Sequence, residues 1–152
     1  MTEPLVYPDA TPRLGLPFLF AGQAQKELFV NEALSRLDLL VQASVVAEAA
    51  QPPADPQPGQ CWLVAQGALG AWSGAEGRLA GWIGGTWQFS EPVPGMAVWD
   101  SSTGQRLVFT GAWQRPSAPL LPTTGANIDS EARAALANLI TALRLAGILP
   151  SA

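Results

Sequence analysis

The chain contains no histidine and a single cysteine among its 152 residues. The lack of histidine excludes the commonest general base, the catalytic triads built on it and the most frequent metal ligand in proteins. Cys61 alone cannot form a disulfide within the chain or build a thiolate metal cage, and its place beside Trp62 in a predicted strand favours a small buried hydrophobe. We therefore expect no catalytic residues, no metal site and no cofactor.

Charge is also scarce, because charged residues make up 13% of the chain and hydrophobic residues 48%. Lys and Arg total 8 against 12 Asp and Glu, and no segment concentrates basic residues, so the chain lacks the positive footprint that phosphate-backbone binding requires. A solitary soluble domain normally carries about a quarter charged residues. The low charge predicts that a partner covers part of the surface. The lack of a basic segment predicts that this partner is not nucleic acid.

Targeting signals and long apolar runs are missing as well. The N-terminal stretch MTEPLVYPDATPRLG has no basic region followed by an apolar core, and no apolar run is long enough to cross a bilayer. We expect neither a signal peptide nor membrane insertion.

Two segments have helical periodicity. Within residues 22–42 apolar side chains recur at intervals of three and four, which predicts one buried face, and polar side chains form the opposite stripe. The apolar face consists of Val30, Ala33, Leu34, Leu37, Leu40 and Val41, and the polar stripe of Glu27, Asn31, Ser35, Asp38 and Gln42.

The second helix is predicted over residues 128–149. Asp129 is a suitable N-cap, Glu131 suits the first turn, and Gly147 followed by Pro150 predicts the end. Its apolar stripe must be buried against the β unit or against copies of itself. The stripe comprises Ala132, Ala135, Leu136, Leu139, Ile140 and Leu143.

Glycine and tryptophan dominate the segment between the helices. Short apolar pieces such as CWLVA, LAGWI, MAVWD and RLVF, punctuated by glycine, are typical of a small antiparallel β meander, with STGQ as the clearest hairpin turn. The sequence thus predicts an α+β protein with an N-terminal amphipathic helix, a Gly/Trp-rich antiparallel meander and a C-terminal helix. We divide it into an extended arm (1–17), a helix plus β domain (18–115), a proline-rich linker (116–127) and the C-terminal helix (128–149).

Carboxylates in the Trp-rich part are the remaining candidates for catalysis. Glu76, Glu91 and Asp100 lie where a sugar could stack on an indole, but each falls at a predicted turn or solvated strand end, where acidic residues commonly serve solubility. A general acid needs a raised pKa and a fixed partner, and the pattern indicates neither. We expect no enzymatic activity.

The tryptophans allow two interpretations, as core fillers or as stacking platforms for glycans. Trp62, Trp87 and Trp99 lie within apolar strands, which favours the core. Trp72 and Trp82 are flanked by glycines in turn-like segments, so both remain candidate glycan-contacting residues.

Several motifs follow one another in a fixed order over about residues 16–114: AGQAQKE followed by NEAL and LD, GQCWLVA after a proline pair, GAWSG, LAGW followed by GTWQF, and a closing GAW. In this order they resemble an uncharacterised domain family of bacteriophages, prophages and gene-transfer-agent loci of alphaproteobacteria. The resemblance implies a virion component, such as a tail fibre, a tail-associated protein or a head spike, assembled in the cytoplasm of a bacterial host. The longer receptor-binding region that often follows is replaced here by a short helix, which favours an adaptor, base or short-fibre role.

Fibres and spikes are commonly trimeric, and polar side chains on a helix can set the register between symmetry mates. We therefore expect a homotrimer that contacts other virion proteins, with the alternative that the polar stripe simply faces water. The candidate interface residues are Gln23, Glu27, Asn31, Ser35, Asp38, Leu136, Leu139, Ile140 and Leu143. The competing hypotheses are a carbohydrate-binding module that recognises host surface polysaccharide and, less favoured, a carboxylate-based depolymerase.

Overall fold

Two helices bracket a series of short strands in the part of the chain that the computed structural model describes, residues 10–19, 26–119 and 129–150. The α+β prediction is confirmed. In chain order the elements are α1 (Lys26–Leu40), β1 (Ser44–Val45), β2 (Glu48–Ala49), β3 (Cys61–Val64), a 3₁₀ turn (Gly70–Trp72), β4 (Leu79–Ile83), β5 (Thr86–Ser90), β6 (Ala97–Asp100), β7 (Gln105–Phe109), β8 (Trp113–Gln114) and α2 (Ser130–Leu145).

The chain divides into two compact units, Met1–Pro92 and Val93–Ala152. The boundary lies inside the segment 18–115, which the sequence predicts as one domain. The first unit contains α1 and β1 to β5, and the second contains β6 to β8 and α2.

In the first unit the strands β2, β3, β4 and β5 are neighbours in that order. The β3–β4 and β4–β5 pairs are antiparallel, as predicted, but β2 runs parallel to β3, with Glu48 opposite Leu63. The proline-rich connector between β2 and β3 explains this departure from a pure meander. It is about as long as a crossover connection needs to be, so it can return the chain in the same direction.

Glycine conformation shapes two of the connections. Gly84 and Gly85, between β4 and β5, both have positive φ (56° and 77°), which the two-residue turns that suit a hairpin require. The segment around Trp72 does not form a strand. Gly70 and Gly74 there have positive φ, so the chain leaves the extended conformation and forms a 3₁₀ turn that carries Trp72 inward.

Two buried indoles fill the core of the first unit. Trp62 and Trp72 are 6% and 0% exposed, and the Trp87 ring packs edge-on against both at centroid distances of 5.5 and 5.0 Å. Small side chains surround them, which leaves room for ring systems of about 150–250 Å² each. The other buried members of this cluster are Val64, Ala68, Ala75 and Ala80.

The α1 helix packs on β4 through Leu39, which is 3% exposed. Its side chain lies directly over the backbone of Gly81, where an added Cβ would overlap the leucine methyl groups. Glycine is therefore required at position 81 by the close approach of the helix to the strand.

The orientation of α1 is the reverse of the predicted one. The polar residues Asn31, Ser35 and Asp38 are buried at 3%, 3% and 1% exposure. The predicted apolar face is not buried at any position: Val30, Ala33, Leu37 and Val41 are exposed, and Leu34 and Leu40 are half-buried. The prediction of a buried apolar face is wrong, because the segment 10–19 is hydrogen-bonded to the polar residues of the helix and packs on that side instead.

In the second unit β6, β7 and β8 are adjacent and antiparallel, and the predicted STGQ turn joins β6 to β7, with the Gly104 amide donating to the Asp100 carbonyl at 2.9 Å. The predicted ends of α2 are confirmed. Asp129 caps its start by accepting from the Ala132 amide at 2.9 Å. Gly147, with φ of 69°, ends it in a turn where the Ile148 amide reaches back to the Leu143 carbonyl at 2.9 Å.

The contact between Leu39 and Gly81 leads to a stability prediction. We expect Gly81→Ala to lower the free energy of unfolding by roughly 1–3 kcal/mol, because the added methyl group overpacks the helix–strand contact. Leu39→Ala should also destabilise, by about 2–5 kcal/mol, by leaving a cavity. Urea unfolding of both single variants and the double variant tests the contact. The loss of unfolding free energy in the double variant should be clearly smaller than the sum of the losses in the two single variants. Strictly additive losses would contradict this packing.

Candidate functional site

The buried polar stripe of α1 binds the segment 10–19 that precedes it. The Asp38 carboxylate accepts hydrogen bonds from the Thr11 hydroxyl at 2.8 Å and from the backbone amides of Arg13 and Leu14 at 3.0 and 2.6 Å. Nearer the start of the helix, the Asn31 side-chain amide pairs with the backbone of Leu19. It accepts from the Leu19 amide at 2.9 Å and donates to the Leu19 carbonyl at 3.1 Å. These bonds satisfy backbone groups of Arg13, Leu14 and Leu19.

The same segment also closes the end of α1. The Arg13 guanidinium donates to the carbonyl oxygens of Asp38, Leu39 and Gln42, the last two at 3.1 Å each. The last carbonyls of a helix have no partner within it, and the negative end of its dipole favours a cation. Arg13 thus caps α1 from a position 25 or more residues earlier in the chain.

The predicted interface role of this polar stripe needs correction. Asn31 and Asp38 are already hydrogen-bonded within the chain, and Ser35 is buried beside Ile83 and Gln88. These three side chains are therefore not presented to a neighbouring copy or to water. Of the other predicted members, Glu27 is half-buried and Gln23 lies outside the described residues.

The two predicted glycan-contacting tryptophans have different environments. Trp72 is 0% exposed, so its prediction as a platform is wrong, because the 3₁₀ turn carries the ring into the core. Trp82 is half-buried and lies directly opposite Trp87 in the β4–β5 pair, with ring centroids 4.9 Å apart. The two ring planes are tilted by 59°, and a pair of partly exposed indoles is a surface on which a sugar ring could rest.

The predicted core tryptophans also divide. Trp62 is buried and Trp87 is half-buried in the same cluster, as expected. Trp99 is 40% exposed, so its prediction as a core residue is wrong. Its ring instead lies against Gly147 at the end of α2, where a side chain would overlap the indole.

The three candidate carboxylates are dispersed and each has a structural partner. Glu76 accepts from the Ala68 amide at 3.2 Å, and Glu91 forms an exposed ion pair with the Arg78 Nε at 2.7 Å. Asp100 is fully buried, not at a solvated strand end as predicted, and accepts from the Ser102 amide and hydroxyl at 2.9 and 2.6 Å and from Arg115.

The contacts of Asp100 do not suit it to donate a proton at neutral pH. Burial by itself would raise the pKa of Asp100, but the hydrogen bonds from Ser102 and Arg115 outweigh it and hold the pKa below its usual value of 3.8. A general acid needs a shift in the other direction. Asp100 is therefore a structural anion that ties Arg115 to the β6–β7 turn.

Cys61 is a buried thiol, as predicted. Burial raises its pKa to about 12, so the nucleophilic thiolate is absent at neutral pH. Within residues 10–19, 26–119 and 129–150 no group of three or more Cys, Asp or Glu side chains could hold a metal ion. No helix in those ranges is long and apolar enough to cross a membrane.

Both helices expose apolar side chains. On α1 the exposed side chains line a shallow groove. On α2 Leu136 and Leu139 are 46% and 54% exposed. Leu143 is half-buried, and Ile140 alone of the predicted stripe is buried, at 8% exposure. The α1 groove is lined by Phe29, Glu32, Ala33, Arg36, Leu37 and Leu40.

The chain belongs to a family described as Protein of unknown function (DUF2793), which it matches over residues 30–114. The matched region runs from the middle of α1 to the end of β8 and leaves α2 outside. No curated protein matches the chain.

The buried Asp100 leads to a pH-dependent prediction. Because the folded-state pKa is lowered, the stabilisation that ionised Asp100 contributes is complete above about pH 3.8 and is lost as the pH falls through the folded-state value. We expect Asp100→Asn to cost about 1–3 kcal/mol at pH 7, since Arg115 loses its anionic partner. Thermal unfolding of both proteins from pH 7 to pH 2 measures this. The difference should shrink below pH 3.8, and a difference that grows on acidification would contradict the assignment.

Proposed function

We propose that this chain is a non-enzymatic structural component of a phage or gene-transfer-agent-like particle, where it forms the base or adaptor of a spike or fibre as a homotrimer. The observation that carries the proposal is the exposed apolar stripe of α2. The order of sequence motifs, which resembles that of particle proteins, supports the setting. The lowered pKa of the buried Asp100 and the structural partners of Glu76 and Glu91 support a role other than catalysis.

The α2 stripe calls for a partner on energetic grounds. The helix has 16 residues, and isolated helices of this length are marginally stable in water. Packing of one apolar face normally stabilises such a helix, but Leu136 and Leu139 remain about half exposed. Of the two predicted destinations for the stripe, the β unit and other copies, the exposure of these leucines favours other copies.

Particle composition tests the proposal. Particles purified from a strain that produces them should contain the chain in a fixed copy number divisible by three. The double change Leu136→Glu and Leu139→Glu should remove the chain from particles, because it places charges in the stripe. Ala134→Glu with Asn138→Glu, on the exposed opposite side of α2, is the matched control and should be incorporated normally. Absence of the unmodified chain from the particles would overturn the proposal.

The Trp82–Trp87 pair favours a second candidate function, recognition of host surface polysaccharide by the first unit. Both residues are half-buried, so part of this side-by-side pair remains exposed. Such a site would serve attachment without requiring any catalytic group.

A comparison of two tryptophans tests this second candidate. Trp82→Ala should abolish binding to capsular polysaccharide, measured by calorimetry, while leaving the unfolding temperature nearly unchanged. Trp72→Ala should instead cost on the order of 3–5 kcal/mol of stability, since it empties the core. Unchanged polysaccharide binding by the folded Trp82 variant, or no binding by the unmodified protein, would exclude this function.

A further inference from the structure

Ser35 is a buried hydroxyl on the inner side of α1 that the described residues do not satisfy. The residue is 3% exposed, and its Oγ has no hydrogen-bond partner within residues 10–19, 26–119 and 129–150. Its neighbours on the buried polar stripe, Asn31 and Asp38, are both bonded to the segment 10–19. A serine in a helix often donates to the carbonyl four residues earlier, and Ser35 does not make that bond either. A buried hydroxyl without a partner is unfavourable, so its surroundings indicate what satisfies it.

The Ser35 side chain faces the hairpin formed by β4 and β5. Ser35 precedes Leu39 by about one helical turn, and Leu39 packs on Gly81. Gln88 is directly opposite Gly81 in the β4–β5 pair, and Ile83 is two residues further along β4. These strand positions therefore share the sheet face that α1 covers. A small space remains on this face beneath Ser35, one turn away from the tight contact of Leu39.

This space has the size of one water molecule. Its volume is about 10 Å³, and one bound water requires about 10–15 Å³. Its walls are formed by Ser35, Ile83, Gln88 and the ion-paired Glu32 and Arg36. Cavities that stay dry are lined by apolar groups, whereas Ile83 is the one apolar residue of this wall.

The polar groups of the wall match the hydrogen bonds of a water molecule. A buried water typically makes about three hydrogen bonds. The Ser35 hydroxyl and the Gln88 side-chain amide can each donate or accept, and the Glu32 carboxylate can accept. A metal ion does not fit the same wall, because a hard cation takes about six oxygen ligands or more and Arg36 adds a positive charge.

The outer wall of the space allows water to enter from solvent. The Arg36 and Glu32 side chains are 57% and 42% exposed, and they are paired at 2.6 Å across one helical turn. Exposed ion pairs of this kind are weak, so the two side chains can separate without movement of the helix. Filling the site therefore does not require α1 to leave the hairpin.

We propose that one water molecule is bound between α1 and the β4–β5 hairpin, where it joins the Ser35 hydroxyl to the Gln88 side-chain amide. The water adds a polar contact one turn away from the apolar contact of Leu39 with Gly81, and the two contacts together hold the helix on the sheet. The site is a property of the purified chain. It depends on neither the particle proposal nor the polysaccharide proposal.

Direct observation tests the site. A high-resolution crystal structure of the full chain should show density for one water molecule within about 2.7–3.2 Å of both the Ser35 Oγ and the Gln88 side-chain amide. A direct hydrogen bond between Ser35 and Gln88 would overturn the proposal. The proposal would also be overturned if this position had no density in a map that shows other buried waters.

A double-mutant cycle gives a second test, because Ser35 and Gln88 are coupled through the bound water. Ser35→Ala should lower the unfolding temperature by about 2–4 °C more in the unmodified protein than in Gln88→Met, which has already lost the other end of the bridge. Alanine also favours the helix more than serine does, but this effect is the same in both backgrounds and cancels.

Ser73 provides the matched control for this cycle. It is an exposed serine of the first unit, so Ser73→Ala should change the unfolding temperature equally in the unmodified protein and in Gln88→Met. The same equality for Ser35→Ala would show that no water connects the two side chains and would exclude the proposed site.

Discussion

The arrangement of α1 depends on one buried carboxylate, that of Asp38. A carboxyl group on a residue that is 1% exposed must be satisfied by donors, and Asp38 obtains them from the Thr11 hydroxyl and from two backbone amides of the preceding segment. Hydrogen bonds to a charged group contribute about 1.5–3 kcal/mol each, more than a neutral pair. The segment and the helix are therefore ordered together, because each satisfies groups that would be costly to bury alone.

This constraint explains why the helix has its apolar side outward. Its inner side must hold the segment 10–19 through Asn31 and Asp38 and must present Leu39 to Gly81, which leaves the apolar side chains of α1 on the outer side together with Glu32 and Arg36. A chain with so few charged residues could keep this surface in water only at the risk of non-specific association.

The aromatic residues support two different tasks. Trp62 and Trp72 form the core of the first unit, and Trp99 receives the end of α2 in the second, so most of the aromatic area stabilises the two small units. The Trp82–Trp87 pair combines ring contact with partial exposure, as does the Phe109–Trp113 pair. The carboxylates near these rings accept hydrogen bonds or form ion pairs, which is consistent with a binding or structural protein.

The sequence by itself determined where the second helix begins and ends, at Asp129 and Gly147. It also determined the loop at the prolines, the strands between the glycines and the burial of Cys61. These are local properties, set by capping groups, backbone conformation and the burial of small apolar side chains within a strand. Tertiary structure alone decided which side of α1 faces inward. The periodicity of the sequence predicts one apolar and one polar face, but it does not show which of them packs against the rest of the chain. In the same way, the glycines around Trp72 predicted a turn, but only the packed chain placed that ring in the core and left Trp99 exposed. The donors for Asp38 lie more than twenty residues away along the chain, so no local pattern could show that its burial would be favourable.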